Sequence, residues 1–294
     1  MILDGKQIAA DIRCELKAEV AALVREGKHP PRLGIIIVGH DPASETYVRN
    51  KLKACAEVGI RADKIAFEET ITSSELLNQI EILNRDDALD GFIVQLPLPA
   101  HLDEQMITSA INYQKDVDGL TPENVGRAAK GLPCIVSATP KGIRELLSRY
   151  HISTDGKHVV VIGRSNIVGK PMATLLMQKH ERGNATVTLC HSHTRNLKQI
   201  CLSADIIIVA VGQPGLLTAD MVAEGATVID VGITRVDAPD TPKGYKLLGD
   251  VDYEHVAPKC AYISPVPGGV GPMTIVSLLQ NTLQAYRFNN SITL

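Results

Sequence analysis

The chain has 294 residues, 45% hydrophobic and 21% charged, enough for two domains of ordinary size or one large one, with a real core. A formal net charge of −3 gives no basic field for nucleic acid, and no Trp with only three Phe leaves few rings to stack single-stranded bases. No apolar run approaches membrane-spanning length, and Met1-Ile2-Leu3-Asp4-Gly5-Lys6 has no signal core. The six cysteines (Cys14, Cys55, Cys134, Cys190, Cys201, Cys260) stand singly, so reduced thiols, a cytoplasmic location and no metal site are expected.

Apolar residues at helical spacing over residues 8–25 (Ile8, Ile12, Leu16, Val20, Leu23, Val24) predict a first helix, stopped by Gly27. Leu33 to Gly39 is a continuous apolar run between turn residues, the pattern of a strand buried on both faces. A helix from Ser44 to Val58 follows, with Asp41 or Ser44 capping it, Pro42 in its first turn and Gly59 ending it. Val48, Leu52 and Cys55 form its core stripe, and Tyr47 and Lys51 are i, i+4 neighbours on an adjacent face. In isolation a helical lysine is a solvated surface residue. This helix, however, leaves a buried strand, so its start lies at the carboxyl edge of a parallel sheet, where α/β proteins bind ligands. A strand near Asp63–Glu68, a helix from Ser73 to Asn84 and a third buried strand from Gly91 to Leu96, cut by Pro97, deliver Gln95 to the same edge. Lys115-Asp116-Val117-Asp118-Gly119 then sets two carboxylates before a glycine, which alone reads as an Asp-Gly turn. Residues 116–133, rich in Gly, Pro and charge, are expected to be a crossing region, followed by a helix from Pro140 to about Tyr150.

The second half predicts strands at His158–Ile162, Thr186–Cys190, Asp205–Val211, Thr227–Val231 and Ala261–Ile263, with helices between the earlier ones. Gly232 to Gly249 is expected to be a long loop, and a last helix spans about Pro272 to Tyr286. Val159-Val160-Val161-Ile162 runs into Gly163-Arg164-Ser165-Asn166-Ile167-Val168-Gly169 and then a helix. This strand, glycine turn and helix start form the phosphate-cradling element of a Rossmann-like dinucleotide domain, although Ser165 stands at the second glycine position. The next strand lacks the terminal acid that would hold a free ribose 2′-hydroxyl. It ends in Cys190-His191-Ser192-His193-Thr194-Arg195, and with Arg164 in the glycine loop these groups suit a 2′-phosphate, so NADP is favoured over NAD. Pro267-Gly268-Gly269-Val270-Gly271-Pro272 is a second glycine-rich turn that can bring backbone close to a ligand.

Taken together, Ser44-Glu45-Thr46-Tyr47-Val48-Arg49-Asn50-Lys51, Val94-Gln95-Leu96-Pro97-Leu98-Pro99, Lys115–Gly119, Thr139-Pro140-Lys141-Gly142, Gly163–Gly169 and Pro267-Gly268-Gly269-Val270-Gly271-Pro272-Met273-Thr274 resemble, in order, the bifunctional methylenetetrahydrofolate dehydrogenase/methenyltetrahydrofolate cyclohydrolase family. The resemblance implies two α/β domains with a cleft between them. Residues 1–138 would be the folate-binding catalytic domain, completed by a C-terminal helix over 272–294, and residues 139–271 the NADP-binding domain. It further implies a homodimer acting on tetrahydrofolate one-carbon derivatives, with Lys51 catalytic, Tyr47 stacked on the folate, Gln95 bonded to Lys51 and Asp118 on the pterin. Val94, Gln95, Leu96 and the Pro267–Gly271 turn (Pro267, Gly268, Gly269, Val270, Gly271) would line the folate site, and Gly163, Arg164, Ser165, Ser192 and Ile233 would contact NADP. One departure is Ala138, where many members carry Cys before Thr-Pro. The alternative is another two-domain NADP-dependent dehydrogenase of a small substrate.

Overall fold

The computed structural model describes residues 1–241 and 244–290. In chain order its first elements are α1 (Gly5–Arg25), β1 (Arg32–Val38), α2 (Pro42–Val58), β2 (Arg61–Phe67), α3 (Ser73–Arg85), β3 (Gly91–Val94), α4 (Glu104–Ser109), α5 (Pro122–Ala129) and α6 (Ala138–Arg149). There follow β4 (His158–Ile162), α7 (Gly169–Met177), β5 (Thr186–Cys190), α8 (Leu197–Leu202), β6 (Ile206–Val209), β7 (Thr227–Asp230), β8 (Thr234–Asp237), β9 (Tyr245–Leu248), α9 (Tyr253–Val256), β10 (Tyr262–Ile263) and α10 (Val270–Asn289). The chain divides into two compact units, one of residues 10–138 with Ile275 onward, the other of Met1–Ala9 with Thr139–Thr274. The first nine residues thus depart from the expected 1–138 grouping. The reason is local: Leu3 donates its N–H to the Ile263 carbonyl, and Ile2 bridges Ile263 in parallel beside β10.

In the unit holding residues 10–138, a three-stranded parallel sheet has the order β2-β1-β3. Central β1 is buried from Leu33 to Val38 and β3 throughout, whereas edge strand β2 alternates with exposed residues, as an edge should. Ile36, Leu76, Ile80, Leu89, Phe92 and Ile107 form one core layer. The α1 stripe holds through Ile12, Leu16 and Val20, but Val24 is exposed, because the helix is ending before the Gly27 turn. β3 stops at Val94 rather than Leu96. Gln95 still donates to the Ile36 carbonyl, and Pro97 has no N–H with which to continue. The expected irregular crossing contains α5, started by Thr121 as N-cap, Pro122 in the first turn and Glu123 behind it. From α10, Asn281, fully buried, donates to the carbonyls of Val117 (2.8 Å) and Val136 (2.9 Å).

The other unit carries a five-stranded all-parallel sheet of order β10-β7-β6-β4-β5. Its strand order reverses between β4 and β6, and in such sheets ligands bind outside the carboxyl ends at that point. Two expectations about this unit change. Gly232–Gly249 is not a plain loop, because β8 and β9 pair antiparallel from Thr234↔Leu248 to Asp237↔Tyr245; positions 242 and 243 within it lie outside the described residues. The last helix begins at Val270 and reaches Asn289, beyond Tyr286, and the expected 291–294 portion lies outside the described residues.

Candidate functional site

In the first sheet, the chain leaves β1 and enters α2 through Asp41, whose carboxylate accepts the Ser44 N–H at 2.7 Å, as an N-cap should. Lys51 stands midway along this helix, and its Nζ donates to Gln95 Oε1 at 3.0 Å. Gln95 follows β3, its own N–H still in the ladder, and its Nε2 donates to the Leu96 carbonyl at 2.7 Å. With the amide's donor engaged, its oxygen is left to hold the lysine. One turn before Lys51, Tyr47 is 47% exposed, a ring available for stacking. One turn after it, buried Cys55 has its thiol pushed up to about 12 by burial, against the pull of the Lys51 charge, so it offers no thiolate at neutral pH.

The structure separates the members of the Lys115–Gly119 motif. Lys115, 6% exposed, donates to the Leu83 carbonyl (3.1 Å) and the Asp86 carbonyl (2.7 Å), plugging the carboxyl end of α3, and burial lowers its pKa. Buried Asp116 accepts from the Thr121 N–H (2.7 Å) and from Asn124 Nδ2 (3.0 Å), fixing the entry to α5. Val117 belongs to the core. Only Asp118 is left over: among the described residues none donates a hydrogen bond to its carboxyl. Burial raises its pKa, the nearby Lys51 charge opposes that rise and Asp116 adds to it. Val94 is buried in β3, while Leu96 is half-buried against the same core. One edge therefore brings together a hydrogen-bonded amine, an exposed ring and a carboxyl without a donor. Such a carboxyl can accept two N–H groups side by side, and such an amine can move a proton.

In the second sheet, Gly163 ends β4 with φ 115°, and its N–H donates to the Cys190 carbonyl at 2.9 Å. A Cβ there would fall 2.2 Å from the Ala210 carbonyl oxygen, so only glycine lets the loop pack into the reversal point between β4 and β6. Ser165, at the second glycine position, has a separate task. Its Oγ accepts the N–H groups of Val168 (3.1 Å) and Gly169 (3.4 Å), capping the start of α7. Arg164 is exposed and forms no ion pair with a described residue. After β5, Thr194 closes a tight turn on His191, through His191 N–H to Thr194 Oγ1 and Thr194 N–H to the His191 carbonyl, both 2.8 Å, leaving Ser192 exposed. Ile233 is 41% exposed and flanks the glycine-rich turn, its Cδ1 3.5 Å from where a Cβ on Gly271 would stand. Within the turn, Pro267 is exposed, whereas Gly268, Gly269 and Val270 are buried; Gly268 accepts the Lys6 N–H and Gly269 donates to the Pro265 carbonyl. Lys51, Tyr47, Gln95 and Asp118 thus lie in one unit, and Gly163, Arg164, Ser165, Ser192, Ile233 and Pro267–Gly271 in the other.

Two acids escaped the sequence reading. Asp230 ends β7 and Asp250 follows β9, both buried and both anchoring backbone at the second sheet's carboxyl edge. The available signal was a repeated Asp-Val dipeptide flanked by glycine, Asp230-Val231-Gly232 and Gly249-Asp250-Val251. Among the described residues, no helix is long and apolar enough to cross a membrane.

Comparison with known proteins accounts for both halves. Residues 3–118 match the tetrahydrofolate dehydrogenase/cyclohydrolase catalytic domain, and residues 137–290 match the NAD(P)-binding domain of the same family. The bifunctional FolD protein of Porphyromonas gingivalis is 58% identical over 284 residues, covering 97% of this chain and 96% of that protein. The crystal structure of FolD methylenetetrahydrofolate dehydrogenase/cyclohydrolase from Campylobacter jejuni superposes with a TM-score of 0.92 at 47% identity, covering 98% of this chain and 99% of that one. The Trypanosoma brucei methylenetetrahydrofolate dehydrogenase-cyclohydrolase, solved with NADP cofactor and inhibitor, gives 0.92 at 40% identity, covering 100% of this chain and 99% of that one. The chain belongs to the tetrahydrofolate dehydrogenase/cyclohydrolase family, as a bifunctional enzyme of the FolD type.

Proposed function

We propose that the two reactions of this bifunctional enzyme are divided between positioning and proton transfer, with Lys51 serving the second. The first reaction oxidises 5,10-methylenetetrahydrofolate to the 5,10-methenyl cation. Bound NADP⁺ supplies the hydride acceptor, and no proton leaves the carbon. The protein's task there is placement. Unpaired Arg164 and the exposed Ser192 hydroxyl, with no carboxylate from Cys190 to Arg195, suit a 2′-phosphate, and Gly163, Ser165 and Ile233 complete the cofactor contacts. The second reaction adds water to the methenyl carbon and opens the ring to 10-formyltetrahydrofolate. It needs a group that takes a proton from water and returns one to the leaving nitrogen. Lys51 fills this role, oriented by Gln95. Asp118 accepts the paired N–H donors of the pterin, Tyr47 stacks on it, and Val94, Leu96 and the Pro267–Gly271 turn line the folate. Residues 10–138 with the last helix act as the catalytic domain, and residues 139–274, joined by the first nine residues, as the NADP-binding domain, in a cytoplasmic homodimer. The six free thiols, three of them buried, suit a reducing compartment.

The observation that carries this reading is the 3.0 Å bond from Lys51 Nζ to Gln95 Oε1 at the same edge as Asp118. Lys51→Met keeps the apolar stem and removes the amine. Cyclohydrolase activity is expected to fall by roughly 10²–10⁴-fold, the usual contribution of a general acid–base group, while dehydrogenase activity falls much less. Two assays on one purified variant decide: methenyl formation with NADP⁺, and decay of supplied methenyltetrahydrofolate above the buffer rate. Wild-type hydrolysis by Lys51→Met would remove Lys51 from the proton-transfer step. The family match sets aside a dehydrogenase of some other small substrate.

A further inference from the structure

Beneath the carboxyl edge of the five-stranded sheet lies a pair of buried acids that the reaction itself does not use. Asp250 is fully buried. Its Oδ2 accepts the N–H groups of Val211 (2.7 Å) and Gly212 (3.0 Å), the first two residues past Ala210. Ala210 is the residue against which Gly163 packs. Asp230 in turn accepts from the N–H groups of Asp250 (2.9 Å) and Val251 (3.0 Å), and from Gly232 N–H (3.0 Å), immediately before Ile233. The segment bearing Asp250 is itself fixed as a strap. Leu217 N–H donates to the Asp250 carbonyl, Asp252 N–H to the Leu217 carbonyl, and Leu217 bridges Val251 in parallel. Two carboxylates therefore tie together the backbone after β6, after β7 and after β9.

We infer that Asp250 is a positioning residue for cofactor binding, its carboxylate holding the post-β6 backbone that seats the Gly163 loop and, through Asp230, the backbone that carries Ile233. This rests on the reading of Gly163 and Ile233 as NADP contacts.

The side chain's own arrangement argues for the role. Asp250 Oδ1 is buried with no hydrogen-bond partner among the described residues. A buried acid with half its acceptor capacity unused is a poor way to stabilise a core, which apolar filler does better. What Asp250 supplies that filler cannot is an acceptor for two adjacent N–H groups at the point where the strand order reverses. Burial pushes the Asp230 carboxyl up to about 6 against the pull of its three backbone donors, and the Asp250 charge adds to the rise. Two acids so placed are retained for their acceptors rather than for their charge. Space is reserved for them as well: a Cβ on Gly232 would stand 2.3 Å from Asp250 Oδ1, and one on Gly249 1.9 Å from Asp230 Oδ2.

The test measures the NADP⁺ KM of the dehydrogenase reaction and, separately, the hydrolysis of supplied methenyltetrahydrofolate, which requires no hydride acceptor. Asp250→Ala is expected to raise the NADP⁺ KM about 10- to 100-fold, the effect of freeing two buried donors at a binding edge, with hydrolysis kept within about twofold. Asp250→Asn, whose amide oxygen can still accept both N–H groups, recovers most of that KM. If Asp250→Ala does not fold, Gly232→Ala displaces the carboxylate from its neighbour and is expected to raise the same KM. An unchanged KM, or a parallel loss of both activities in a folded variant, overturns the inference. Arg164→Ala is run beside them. If it leaves NADP⁺ use intact, the cofactor reading fails and the inference falls with it. If it weakens NADP⁺ binding while Asp250→Ala does not, only the positioning role falls.

Discussion

The two sheet edges are built from different materials. At the edge of the three-stranded sheet the groups are side chains oriented by other groups: Gln95 holds Lys51, Lys115 is spent on backbone carbonyls and Asp116 on the Thr121 N–H and the Asn124 amide, whereas no described residue donates to the Asp118 carboxyl. At the edge of the five-stranded sheet the working surface is mostly backbone, shaped by a glycine that nothing larger can replace and fastened from below by buried acids. The first edge is therefore sensitive to chemistry at nearly constant shape, and the second to shape at nearly constant chemistry.

That contrast can be broken in graded steps. The largest effect is expected at Asp118. If its role is to accept two pterin N–H groups, Asp118→Ala leaves both unpaired, at about 1–3 kcal/mol each in folate binding. Asp118→Asn, nearly isosteric, should be almost as damaging, because its amide presents a donor to a donor. Normal folate affinity in either variant, measured by titration calorimetry, would reduce Asp118 to a turn residue. A smaller effect is expected at Arg164, the one charged side chain assigned to recognition at the backbone-built edge. Arg164→Ala should raise the NADP⁺ KM by about tenfold or more, the usual worth of a hydrogen bond to a charged group, and leave NAD⁺ use nearly unchanged. Equal loss with both cofactors would show that the arginine supports the loop's shape instead. The smallest is Ser165→Ala, which removes the cap of α7 and should cost about 1 kcal/mol of stability, a midpoint shift of roughly 2–4 °C in thermal melts. A melting change with no rise in the NADP⁺ KM would leave Ser165 as a cap and remove it from the cofactor contacts.

The contrast also explains what could be read from the residues alone. β4 and β5 fall at their expected bounds, because short runs rich in β-branched residues between turn residues leave little choice. The side-chain edge was legible as a set of motifs: Tyr47 and Lys51 lie on a helix, and Gln95 at a strand end, that the pattern already located, whereas Asp118 stood out only through the family resemblance, since alone it reads as an Asp-Gly turn. α5 was hidden by its composition: two glycines and a proline near Asn124 resemble a linker, although Thr121-Pro122-Glu123 spells a helix start. The β8–β9 pair was hidden by the brevity of its strands, four residues each. Asp250 could not be read at all from local pattern, because its function depends on donors 38 and 39 residues away, and only the folded chain brings them within reach.

Asn281 reaches back 164 residues to hold the Val117 carbonyl, the peptide group adjoining Asp118. On the ribosome, where roughly 5–20 residues are added each second, the segment bearing Asp118 must wait roughly 8–30 s for its anchor to be made. The edge that bears Lys51 and Asp118 is thus begun among the earliest parts of the chain and finished among the last. A truncated nascent chain would carry Lys51 and Gln95 on a formed sheet yet lack the fixed Asp118, so that premature termination leaves this edge incomplete.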